Sequence, residues 1–153
     1  MSNLDELDQR LLKLLQHDST LTHKELAQHL NLTTTPVYER VKRLEREGFI
    51  RKYVALADKN KLDKTLMAYC HLSLKDQSKA FMEKFEGEVT AIPEVVECYH
   101  IAGDFDYMLK VLVKDMAAYQ LFIVERLGII ENIAKAQSFF VLSEVLYETA
   151  IPI

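Results

Sequence analysis

The chain has 153 residues, a mass of 17.7 kDa and 49% apolar residues, enough for one compact domain or two small ones with filled cores, which excludes a disordered chain. Nineteen basic against 23 acidic side chains give a net charge of −4; the chain as a whole is no polycation, and any DNA binding must be local. No run approaches the ~18 consecutive apolar residues of a membrane span, and the acidic, polar opening MSNLDELDQR differs from a basic-then-apolar secretory signal, so a cytoplasmic protein is expected.

Leu4, Leu7, Leu11, Leu14 and Leu15 recur at helical spacing, and Asn3 with Glu6 three residues on predicts a capping box at the start of a first helix. Thr22 and Glu25 repeat that signal before a short apolar stripe, Leu26, Ala27 and Leu30, which must dock on a neighbour to be stable. Asn31 is a left-handed stop. Thr33, Thr34, Thr35 and Pro36 open a third helix with Val37, Val41 and Leu44 inward, and Gly48 ends it. Phe49, Ile50, Tyr53, Val54 and Leu56 are strand formers, predicting a connecting strand over 49–56 that pairs with its mate in a partner subunit. Polar residues 58–64 read as a linker.

Beyond the linker the pattern predicts a strand at 66–74, a helix at about 78–91 carrying Phe81, Phe85 and Val89, and strands at 95–102 and 107–113. A second helix follows, capped by Asp115 and bearing Met116, Tyr119, Ile123 and Leu127. Gly128 stops it, and a long strand runs over 133–147. The order βαββαβ, two βαβ halves joined at Gly103, is that of a ferredoxin-like sandwich. The fold class is therefore α+β: a helix-turn-helix domain over 1–53, a connecting strand and linker over 54–64, and an α/β sandwich over 65–153.

Charge divides along the same line, +1 over residues 1–53 and −5 over 54–153, and the stretch from Arg40 to Lys52 alone carries +4. Three short helices with basic charge on the third suggest a helix-turn-helix whose third helix enters the major groove. With Val37, Val41 and Leu44 inward, a 100° step puts Thr35, Tyr38, Glu39, Lys42 and Arg46 outward. Thr34, Thr35 and Tyr38, near the helix start, are the candidates for base edges. Lys42, Arg43 and Arg46 are candidates for phosphate, and Arg40 for either packing or phosphate. The competing reading is a solvated basic face on an ordinary three-helix domain.

The stretch LAQHLNLTTTPVYERVKRLEREGFI at 26–50, followed by Gly103, Asp104, Phe105, Asp106 and Tyr107 in a βαββαβ unit, resembles the Lrp/AsnC family of feast/famine transcriptional regulators over nearly the whole chain. The resemblance implies a winged helix-turn-helix domain, a connecting strand, and an effector-sensing domain that dimerises and assembles into rings of dimers, often octameric. It places the DNA-reading helix on Thr33 to Glu47 and the effector loop on Gly103, Asp104, Phe105 and Asp106, with Gln137 and Ser138 on the last strand facing the same ligand, an amino acid or related metabolite. The loop chemistry is compatible: glycine permits close approach to backbone, exposed amides accept a carboxylate, and Asp104 or Asp106 accepts an ammonium. Without the resemblance, Gly-Asp-Phe-Asp reads as a hairpin turn, with Asp favoured for its own backbone hydrogen bonds. Three positions depart from similar sequences, which usually carry arginine at Thr20, glycine near Asp63 and lysine at Leu146.

Other constellations are bland. Cys70 and Cys98 stand 28 residues apart without CxxC spacing, so buried reduced fillers are expected rather than a zinc site or disulfide. Cys98 and His100 share a strand face but have no third orienting group. No nucleotide, hydrolase or metalloprotease motif occurs, so neither an enzyme nor a bound cofactor is expected. The expected function is a sequence-specific DNA-binding regulator responding to an amino acid. The rivals are a nucleoid-type protein that wraps DNA without an effector, and a regulatory module acting on an enzyme in trans.

Overall fold

The computed structural model describes residues 4–153. The chain divides into two compact units, one running to Leu56 and joined by the tail Leu146–Ile153, the other Ala57–Val145. The first unit holds α1 (Glu6–His17), α2 (His23–Leu30) and α3 (Thr34–Arg46). Asp5, not Asn3, caps α1: its carboxylate accepts the Asp8 amide at 2.8 Å while that of Asp8 accepts the Asp5 amide at 3.1 Å. Asn3 lies outside the described residues. Thr22 and Glu25 cap α2 reciprocally as expected, and Asn31 closes it at φ 55° in the left-handed region. Leu11, Leu15, Leu26, Leu30, Val37, Val41 and Leu44 are all buried in one core, at about 1.5–3 kcal/mol for each large side chain.

Residues 49–56 form no strand. Strand residues need a ladder partner, and none of the described residues pairs with this segment; its backbone is tied back at Ile50, whose amide donates to the Leu44 carbonyl at 3.1 Å. The tail has a partner within its unit. Gln16 on α1 acts as a strand-like clamp, donating to the Ile151 carbonyl at 3.1 Å and accepting its amide at 2.6 Å.

The second unit holds β1 (Leu66–Leu74), α4 (Lys79–Thr90), β2 (Val95–His100), β3 (Tyr107–Val113), α5 (Met116–Leu121) with a π-helical continuation (Phe122–Leu127), and β4 (Ile133–Phe140). All neighbours are antiparallel in the order β2-β3-β1-β4. Alternation along β3 and from Ala68 onward on β1 sends Ala68, Cys70, Leu72, Leu109 and Val111 against Phe85, Val89, Tyr119 and Phe122 of the helices. The opposite sheet face carries the half-buried Tyr69, His71, Met108 and Lys110 and the exposed Gln137 and Phe139.

Some elements differ from expectation. β4 ends at Phe140 rather than 147, because its partner β1 begins at Leu66: Phe140 lies opposite Ala68, Val141 still donates to Met67, and there the pairing runs out. β2 ends at His100 rather than 102, where Ile101 turns its amide to the Asp106 carbonyl at 2.8 Å. Phe81 on α4 is exposed, and Met82 packs at the core edge instead. Asp63 adopts φ 54°, a conformation that favours the glycine usual near this position in similar sequences. Among the described residues, no helix is long and apolar enough to cross a membrane.

Asp8 is the one charged side chain with no solvent exposure among the described residues, and it sits inside the first unit. Its Oδ1 accepts from Arg40 Nη1 at 2.7 Å and its Oδ2 accepts from Arg43 Nη2, both on α3; Arg40 also reaches Asp5 at 2.6 Å. Breaking a buried pair strands the remaining charges, at roughly 3–5 kcal/mol. Asp8→Ala is therefore expected to lower the unfolding free energy by about 3 kcal/mol or more in urea titration, while Lys13→Ala on the exposed side of α1 moves it by less than about 0.5 kcal/mol.

Candidate DNA-reading face and effector loop

α3 projects outward the side chains that its apolar stripe leaves over. Thr33, Thr34, Thr35, Tyr38, Glu39, Lys42 and Arg46 are exposed, Tyr38 by 44%. The Tyr38 ring meets His23, the first residue of α2, edge-on at 5.2 Å, and Lys42 Nζ lies 5.9 Å from its centre. Lys42 donates to Glu45 Oε2 at 2.7 Å, and Tyr53 donates to Glu45 Oε1 at 3.1 Å. The Lys42 hydrogen bond holds Glu45 below the ordinary glutamate range and, reciprocally, raises Lys42. Burial, then the bond to Glu45, pushes Tyr53 up to about 12.

Arg43, expected at phosphate, and Arg40, expected at either packing or phosphate, both pair with Asp8, because a buried carboxylate on α1 demands charge-paired donors. Asp8 itself was missed, although a signal exists. It falls at the i+4 step between Leu4 and Leu11 in an otherwise leucine stripe, where an acid requires a partner.

The loop from Ala102 to Asp106 joins β2 to β3. Gly103 adopts φ 139°, reserved in practice for glycine, and Gly103 and Asp104 are exposed. Asp106 is not free for an ammonium. Its Oδ2 accepts the Leu74 amide at 2.7 Å and its Oδ1 accepts from Gln77 at 2.8 Å, while its own amide donates to the Leu72 carbonyl. These bonds pin the loop to β1. Phe105 lies edge-on to His71 at 5.4 Å and beneath Lys135 at 5.1 Å, and His71 in turn meets Phe139 at 4.9 Å. Gln137, opposite His71 in register, shares this face; Ser138 points the other way and accepts from Tyr119 at 2.7 Å. Burial raises Tyr119 to about 12. The six candidate effector residues thus fall into an outward group, Gly103, Asp104, Phe105 and Gln137, and two inward residues, Asp106 and Ser138. Sequence reading missed His71 and Lys135, which reach the loop only through sheet register.

The two modules match two family descriptions: residues 4–51 match "winged helix-turn-helix DNA-binding" and residues 67–151 match "Lrp/AsnC ligand binding domain". The chain belongs to the Lrp/AsnC family. It is 37% identical over all 153 residues, and over the full relative, to the Bkd operon transcriptional regulator of Pseudomonas aeruginosa. It is 36% identical over 143 residues, 94% of this chain and 87% of the relative, to the leucine-responsive regulatory protein of Escherichia coli K12. A Neisseria meningitidis transcriptional regulator solved as an L-Met complex superposes with a TM-score of 0.94 at 33% identity, covering 98% of this chain and 97% of that one. These relatives are transcriptional regulators, and this Lrp/AsnC chain carries both the DNA-binding and the ligand-binding module.

A hollow of about 580 Å³ opens elsewhere, in the first unit, lined by Leu12, Leu15, Phe49, Ile50, Tyr53 and Ile151 among others. Cys70 is buried and Cys98 half-buried, and burial raises both thiols above the ordinary range. Among the described residues no cluster of three metal-ligating side chains occurs. Because Asp106 satisfies the Leu74 amide and Gln77 together, Asp106→Ala is expected to destabilise the second unit by roughly 1.5–3 kcal/mol. Hydrogen exchange at the Leu74 amide checks the assignment: it should accelerate in Asp106→Ala and not in Asp104→Ala.

Proposed function

We infer that the chain is a cytoplasmic, sequence-specific transcriptional regulator, not an enzyme, whose assembly and DNA affinity respond to an amino acid. The observation carrying this reading is the outward face of α3, where Tyr38, Lys42 and Arg46 stand free of the core beside the exposed threonines of the helix start. Thr34, Thr35 and Tyr38 read base edges in the major groove. Lys42 and Arg46 hold phosphates. Thr33, at the N-cap without a side-chain capping bond, has its hydroxyl available for the backbone, and Glu39 borders the contact. Arg40 and Arg43 serve by orienting the helix through Asp8.

The effector is an amino acid held at the outward group of the loop. Amides around Gly103 take its carboxylate and Asp104 takes its ammonium, while Phe105 and Gln137 border the side chain. The subunits pair as a homodimer, supported by the unpaired strand-forming segment 49–56 and by exposed Val96, Tyr99 and Phe139 on the second unit. Dimers associate further, up to an octamer, and a ligand that prefers one assembly shifts the spacing of the DNA-reading helices. A two-fold dimer implies half-sites about 34 Å apart.

The test is a thermal-shift screen against the twenty amino acids read with solution mass. A ligand at 100 times its Kd should stabilise the protein by about 2.7 kcal/mol, and Asp104→Ala should remove that shift while leaving the ligand-free melting temperature in place. Persistence of the full shift in Asp104→Ala would place the ligand elsewhere. On DNA, Tyr38→Ala should weaken binding to a cognate site by about 1–3 kcal/mol and bring it closer to scrambled DNA. Equal affinity for cognate and scrambled duplexes in the unmodified protein would favour the wrapping alternative.

A further inference from the structure

We propose that Glu45 is an intramolecular stand-in for DNA phosphate: it occupies Lys42 in the DNA-free protein, phosphate must displace it, and it thereby limits how strongly α3 adheres to duplexes of any sequence. The inference rests on the outward face of α3 meeting DNA. Glu45 is held at both oxygens, by Lys42 at 2.7 Å and by the Tyr53 hydroxyl at 3.1 Å. Tyr53 comes from the chain beyond α3, so the carboxylate is anchored from outside its own helix as well as from within. Lys42 is also steered by the Tyr38 ring, 5.9 Å from its nitrogen, and Tyr38 is itself braced by His23. Held below its ordinary range, the Glu45 carboxylate is ionised at neutral pH.

α3 carries four cations, and three of them are already matched. Arg40 and Arg43 are paired with Asp8, a carboxylate with no solvent exposure that phosphate cannot displace, although the arginine side chains themselves are partly exposed. Lys42 and Glu45 retain 47% and 30% side-chain exposure; such a pair is weak, screened by salt and exchangeable. Among the described residues, Arg46 has no ion pair. Sequence-independent binding is electrostatic and scales with the number of cations free to replace counterions. A recognition helix with one free cation and one held in reserve adheres weakly to arbitrary DNA. It gains Lys42 only where the fit brings phosphate close enough to outcompete Glu45, which favours discrimination over affinity.

The experiment is a double-mutant cycle on the full chain, Glu45→Gln crossed with Lys42→Ala, measuring affinity for a mixed-sequence duplex across a salt series. Both side chains are on the surface and neither belongs to the core. Glu45→Gln should tighten binding about two- to five-fold and steepen the log–log salt dependence by about 0.9, one further phosphate contact. In the Lys42→Ala background the same change should do nothing. An equal gain in both backgrounds would reduce Glu45 to ordinary charge repulsion, and no gain in either would remove the restraint; each overturns the proposal. If Lys42→Ala leaves both affinity and salt slope unchanged on a cognate duplex, where the fit should bring phosphate to Lys42, the outward face of α3 does not meet DNA, and the underlying functional reading falls with the proposal.

Discussion

A carboxylate removed from water must find positive partners, and that demand at Asp8 organises the first unit. The side chain stands at a core position of α1 and answers to two arginines one turn apart on α3. Apolar contacts between these helices are non-directional and tolerate rotation of one helix about its axis. Hydrogen-bonded ion pairs do not. The Asp8 pairs therefore add what the leucine core lacks, an angular constraint on α3, and the face carrying Tyr38, Lys42 and Arg46 is the face opposite. The same constraint pairs Arg40 and Arg43 with a buried carboxylate, so the +4 stretch from Arg40 to Lys52 overstates the unpaired charge on this helix.

Patterns with a short physical cause were legible in the sequence. Capping at Thr22, the left-handed Asn31, the inward Val37, Val41 and Leu44, and the bounds of β1 and β3 all follow from local geometry and periodicity, and the structure reproduces them. Legibility ends where a residue's state depends on a distant partner. The end of β4 is decided by where β1 begins, 74 residues earlier at Leu66. Segment 49–56 has strand composition, but pairing requires a second edge. Asp106 resembles Asp104 in sequence, yet one is tied to Leu74 and Gln77 and the other is exposed. Asp8 was readable in principle, since an acid on a leucine stripe is an inconsistency that a fold must resolve.

The effector loop shows the same division between frame and contact. Asp106 and Gly103 set the path of the backbone, the first by three hydrogen bonds to β1 and its following turn, the second by a conformation other residues avoid. The side chains this frame leaves outward are Asp104, Gln137 and the aromatic edge formed by Phe105, His71 and Phe139. A rigid frame bearing a small exposed contact set suits a ligand with two charged groups at fixed separation, because little ordering is required at the moment of binding.

The two units are joined twice by the chain, once after Leu56 and again before Leu146, where the tail returns to the first unit. The first unit is thus tethered at both its connecting segment and its tail, and Tyr53, one of the two anchors of Glu45, lies in that connecting segment. Allosteric coupling between sites is typically 1–3 kcal/mol. Against a polycationic DNA-binding surface making many phosphate contacts, such a coupling would change occupancy little. Against a helix whose cations are mostly matched from within, a term of that size is comparable with the discriminating contacts themselves, so under the proposed function the internal neutralisation of α3 is what would let a small ligand matter.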